Sequence, residues 1–197
     1  MSATGRIVPL RQVATPPTHE AVGSLPEIQR THGAAMVSEA IRLVLTNLPS
    51  LLFFAALLIA TLRGGTAEAY LDWLLLLSIG VASAWAGLYH VFAPATAAAF
   101  IGWQVSPFQF EVGIADMALG VTAILAFWRP LEFKVAVVAF TTIYFVGLVF
   151  GHVHQIVSTG NWAAGNAGAL LALTVLQPIL LLGCCFILLR RQAARAN

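Results

Sequence analysis

The side chains best suited to chemistry in this sequence are His90, Glu111, Asp116, His152, His154 and Asn166. All lie inside or at the edges of long apolar blocks. An ionisable group in an apolar span costs a few kcal/mol, so such groups usually face other helices and often mark function. Imidazoles and carboxylates together suit iron, copper, manganese or zinc, and they also suit proton transfer beside a quinone. Two histidines on separate helices can instead hold a haem. The residue types therefore nominate Glu111 and Asp116 as proton carriers. They nominate His90, His152, His154 and Asn166 for cofactor binding, and His90, Glu111 and His152 as a metal set.

The competing reading is a hydrogen-bonded polar cluster that fixes helix packing and binds nothing. Its strength is the absence of ligand spacing: the sequence contains no His-x-x-x-His and no Glu-x-x-His. His152 and His154 are two apart, which on a helix turns their rings to nearly opposite faces. There is also no phosphate-binding loop, no dinucleotide glycine fingerprint and no Gly-x-Ser-x-Gly turn. No enzyme class is favoured.

The elements that must position these groups are membrane-length helices. Of the 197 residues 59% are hydrophobic and 9% charged, against about 25% charged in ordinary soluble domains. The apolar residues fall in five blocks, 43–62, 70–92, 110–128, 133–154 and 168–189, each near the roughly 20 residues that cross a hydrocarbon core. The expected fold is all-α, an integral membrane bundle of five transmembrane helices in one domain, 36–197, behind a flexible N-terminal tail, 1–35. That tail is broken by Pro9, Pro16, Pro17 and Pro26. Met36 offers an alternative start immediately before the first span.

Small residues line up where membrane helices pack closely. The second block carries Gly80, Ser83 and Gly87, leading to His90. The third carries Gly113 and Gly120 with Asp116 between them, and the fourth carries Gly147 and Gly151, leading to His154. Alternating topology then brings His90, Glu111, His152 and His154 to one face. Asp116 lies five residues further in, about 7.5 Å at 1.5 Å per residue. Asn166, in the loop before the last block, is placed to cap the following helix.

Basic residues beside the spans set orientation. Arg63, Arg129, Lys134, Arg190, Arg191 and Arg195 share one face, and the second and fourth loops have none. This predicts a bacterial cytoplasmic membrane protein with its C-terminus in the cytoplasm and its N-terminus outside. Arg6, Arg11, Arg30 and Arg42 argue the other way, nearly neutralised by Glu20, Glu27 and Glu39. Trp73, Trp103, Trp128 and Trp162 read as an interfacial belt. Cys184 and Cys185, adjacent on a helix, point about 100° apart and read as reduced packing residues. The net charge of +2 is too small for nucleic acid, so the expected partners are the lipid bilayer and other membrane subunits.

Several runs resemble a family of small bacterial membrane proteins classed as a domain of unknown function. They are Leu88-Tyr89-His90-Val91-Phe92, Ile101-Gly102-Trp103 with Ser106-Pro107-Phe108-Gln109 and Glu111, Ala118-Leu119-Gly120-Val121, Gly151-His152 with Gln155, and Gly165-Asn166-Ala167-Gly168. The resemblance covers about residues 36–189 and departs at Tyr89, where members typically have glycine. It ranks His152 above His154, whereas the glycine stripe favours His154. More distantly the chain is similar to DoxX-like proteins, a likeness that implies membrane redox chemistry linked to quinones or thiols. The functional expectation is a redox-associated or proton-handling membrane protein with its site at the outer ends of spans two to four, using a metal, haem or quinone. The alternative is a structural or accessory subunit of a larger membrane complex.

Overall fold

A computed structural model of the chain describes residue 43 and residues 46–196. The expected tail, the alternative start at Met36 and the charges opposing the orientation lie outside those residues. Every regular element among the described residues is helical. Helix α1, Thr46–Leu62, stops where Gly64 and Gly65 take φ values of 108° and 63°, backbone that favours glycine. Thr66 restarts the chain: its Oγ1 accepts from the Ala69 amide at 3.1 Å, with Glu68 in the first turn of α2, Ala67–Phe92.

The chain continues through a short helix α3, Pro94–Ile101, then α4, Phe108–Ala126, and α5, Leu131–Thr159. One helical turn, α6, Ala164–Ala167, precedes the long α7, Ala169–Ala196. Among the described residues four segments are long and apolar enough to cross a membrane: α2, α4, α5 and the run Ala164–Ala196. The expectation of five spans is corrected to four among the described residues. In the first block, α1 covers only Thr46–Leu62 among the described residues, short of the roughly 20 residues a crossing needs. The second expected loop is not irregular throughout, because Pro94 starts α3 inside it.

The tightest packing is between α2 and α4, and it is made by glycine. A Cβ on Gly87 would lie 2.5 Å from the Gly113 carbonyl oxygen, and one on Gly120 would lie 2.5 Å from the Ala84 nitrogen. The expected α5 stripe behaves differently: among the described residues a Cβ on Gly147 would meet nothing within 4 Å, and one on Gly151 would meet only Trp103, at 3.7 Å. Two of the three small-residue stripes pack against each other, and the third does not.

Polar groups inside the bundle are satisfied in pairs. Residues Leu74–Val81 of α2 form a π-helical stretch, whose widened turn disturbs the regular backbone ladder. There buried Gln177 of α7 donates through Nε2 to Ser78 Oγ at 2.7 Å and to the Ser78 carbonyl at 3.4 Å. At one end of the bundle Lys134 pairs with Asp72. Lys134 reads from sequence as a loop-edge charge, yet it is buried. Both cysteines are free.

The glycine contact has a direct consequence for stability. Gly120→Ala forces a methyl group against backbone and is expected to destabilise the bundle by about 1–3 kcal/mol, the range for overpacking. Gly147→Ala should change little. Reversible unfolding in mixed micelles, followed by circular dichroism, compares the two.

Candidate functional site

The end of the bundle opposite the Asp72–Lys134 pair collects the C-terminus of α2, the N-terminus of α4, the C-terminus of α5 and the 161–166 loop. Two glycine turns build it. Helix α3 ends at Gly102 in the left-handed conformation, φ 69°. The Trp103 amide bonds back to the Ala98 carbonyl at 2.9 Å, and the Gly102 amide to Ala99 at 3.3 Å. Helix α5 ends the same way at Gly160, φ 67°, with the Asn161 amide bonded to Gln155 at 3.3 Å and Gly160 to Ile156 at 3.1 Å. Each turn delivers the residue after its glycine, Trp103 or Asn161, into the cap. Asn161 Nδ2 then donates to the carbonyls of Ile101 and Gly102, at 2.9 and 3.2 Å, joining the two turns.

Fully buried Asn166 is the centre of the cap. Its Nδ2 donates to the carbonyls of Asn161, at 2.9 Å, and His152, at 3.3 Å. Its Oδ1 accepts from Trp103 Nε1 at 3.0 Å and lies 2.8 Å from His152 Nδ1. The two carbonyl partners fix which amide atom is nitrogen, so Oδ1 can only accept. His152 must therefore carry its proton on Nδ1, leaving Nε2 as the lone-pair nitrogen of the neutral ring. Trp103 packs on that ring with centroids 5.6 Å apart. The expected capping role of Asn166 is corrected. One extra turn, α6, encloses the residue, and its side chain serves three segments instead of the next helix.

His90 is held by a different amide. Gln109 Nε2 donates to the Pro94 carbonyl at 2.8 Å and approaches His90 Nδ1 at 3.3 Å. The carbonyl contact again identifies the nitrogen, so His90 Nδ1 accepts and its ring proton belongs on Nε2. The two histidines of this end thus have opposite tautomers, each set by a neighbouring carboxamide. His90 also borders a cavity of about 100 Å³ that Trp103 shares.

The remaining candidates are elsewhere. Asp116 is buried and accepts from Tyr144 Oη of α5 at 2.8 Å, deeper along α4. Glu111 is exposed. His154 is exposed too, its Nδ1 3.5 Å from Ser158 Oγ. The proposed shared site therefore divides into His152 with Asn166, His90 with Gln109, and Asp116 with Tyr144. The structure does not gather His90, Glu111 and His152: no three His, Cys, Asp or Glu side chains among the described residues stand where they could hold one metal ion.

The model of a family of unknown function, DUF6790, matches residues 39–195. The chain belongs to that family. No curated protein matches the chain, and neither does any solved structure. Family membership therefore places the α2–α7 bundle and its histidine cap within one family unit and brings no activity with it.

Sequence reasoning missed Trp103, Gln109, Tyr144 and Asn161 as parts of these sites. Trp103 reads as a belt residue, although its indole N–H is committed to Asn166. The usable signal is glycine followed directly by a side chain with hydrogen-bonding capacity, Gly102-Trp103 and Gly160-Asn161, because a left-handed turn aims its next residue back across the helix end.

The tautomers are directly measurable. Nitrogen-15 NMR of imidazole-labelled protein near neutral pH should show His152 protonated at Nδ1 and His90 at Nε2. Asn166→Ala should release His152 to the ordinary Nε2-protonated form while leaving His90 unchanged.

Proposed function

We propose that this chain is a proton-handling protein of the bacterial cytoplasmic membrane, with its C-terminus in the cytoplasm and the histidine cap at the outer face. The observation that carries the reading is the fixed tautomer of His152. A histidine titrates near neutral pH, and a ring whose Nδ1–H is already committed accepts a proton at one defined atom, Nε2. The resulting imidazolium keeps its bond to Asn166 Oδ1, so the ring need not reorient as it charges. Exposed Glu111 at the same end supplies a carboxylate for exchange with water. Asp116, hydrogen-bonded to Tyr144, is the deeper carrier. A redox association follows if the proton acceptor or donor is a quinone, whose reduction takes up protons. The distribution of Arg63, Arg129, Arg190, Arg191 and Arg195 supports the orientation.

A second reading, an accessory subunit of a larger membrane complex, draws on Gly147. Among the described residues nothing stands beside Gly147, and a glycine with open space beside it is the surface that another helix uses for close approach. Gly147→Leu should then leave the isolated bundle folded and abolish co-purification of a membrane partner. Retention of that partner removes this reading.

Proton handling is tested in proteoliposomes loaded with a pH-sensitive dye under an imposed gradient. Positioned acid–base groups contribute about 10²–10⁴-fold, so His152→Ala should slow dissipation by at least about tenfold. His154→Ala should leave the rate unchanged. No flux above protein-free liposomes, or equal flux in His152→Ala, overturns the proposal.

A further inference from the structure

The geometry points to a second site in the same cap: the cavity bordered by His90 and Gln109 binds the neutral hydroxyl or carbonyl head of an amphiphile. It goes beyond the proton-accepting role of His152, which is not among the residues lining this cavity, although Trp103 both lines the cavity and packs on the His152 ring.

Three features fix the ligand class. The first is charge. The lining residues include His90, Trp103, Gln104, Ser106, Phe108 and Gln109, and no Asp, Glu, Lys or Arg. A charged head would be desolvated there with no opposite charge to meet it, which costs several kcal/mol; a neutral head avoids this. The second is size. About 100 Å³ is far below the roughly 300–1,000 Å³ of a site that swallows a whole small molecule. Only a head group enters, and a haem does not fit.

The third is the hydrogen-bond pattern. Gln109 uses both amide hydrogens, on Pro94 and His90, so Oε1 remains as an acceptor. His90 Nδ1 is occupied by that amide, so Nε2–H remains as a donor. Neither atom has a hydrogen-bond partner among the described residues, and no partnerless side-chain nitrogen or oxygen there is sealed from solvent. Both atoms are therefore reachable. His90 Nδ1 and Nε2 face opposite sides of the ring, so the donor and the acceptor meet different oxygens of one head, one accepting from His90 and a hydroxyl donating to Gln109. Exposed Phe108 stands at the edge of the cavity and gives the apolar tail a surface to follow out of it.

Such a head belongs to an acylglycerol or to a quinol, and the experiment distinguishes them. Tritiated monodecanoylglycerol is titrated against the purified full-length protein in phosphatidylcholine nanodiscs, with tritiated decanoate as the charged comparator. The expected result is saturable, one-to-one binding of the glycerol ester and none of decanoate. Loss of one hydrogen bond in His90→Ala should weaken binding by about tenfold, and Val112→Phe, which fills the cavity, should abolish it. Val112→Phe should leave the proton flux of proteoliposomes as in the wild type, which separates this site from the proton-handling reading. Competition by a short-chain benzoquinol assigns the head to a quinol, and absence of competition assigns it to an acylglycerol. Equal binding of decanoate, or unchanged binding in both His90→Ala and Val112→Phe, overturns the proposal.

Discussion

The close approach of α2 and α4 is the constraint on which the rest depends. Gly80, Gly87, Gly113 and Gly120 let two helices come close, with Gly87 against the Gly113 backbone and Gly120 against the backbone of Gly80 and Ala84. In a bilayer the hydrophobic effect does not drive helix association, so close van der Waals contact of this kind does much of the work. It also sets register. The contact at Gly87 and Gly113 carries the α2 terminus past the start of α4, which brings His90 within reach of Gln109. A side chain at any of these glycines would part the helices and the histidine with them.

Polar groups then divide the bundle along its length. One end is charged, with Asp72 and Lys134 paired. The middle holds Gln177 on Ser78 and Tyr144 on Asp116, bonds that spare buried polar atoms the cost of going unpaired. The other end is amide-rich, with Glu111 exposed on it, and there Asn166 and Asn161 stitch the α3 turn, the α5 terminus and the connecting loop together. A fully satisfied network of this sort is rigid. Rigidity is what turns two ordinary histidines into groups with defined donor and acceptor atoms.

The apolar blocks, the all-helical class and the α2–α4 contact were legible in the sequence, because length, hydropathy and small-residue spacing are local quantities. The fifth span was not. Between Thr46 and Leu62 hydropathy resembles that of a crossing helix, and the turn at Gly64-Gly65 ends it where the sequence suggests, but the described part is shorter than a crossing helix. The Gly147 stripe was misleading for a related reason: spacing shows that a face can pack closely, without saying whether anything stands opposite.

The sequence by itself determined which residue types are available at one end of the bundle, since alternating spans must return His90, Glu111, His152 and Asn166 to the same side. Only the tertiary structure decided which of them meet. Asn166 faces His152 and not the next helix, His154 turns outward, and Asp116 finds Tyr144 in place of a histidine. The physical reason is that spacing along a helix fixes a residue's height and face. Hydrogen-bond partnership also needs the rotation of each helix and the path of each loop, and those are set by contacts between residues far apart in the chain.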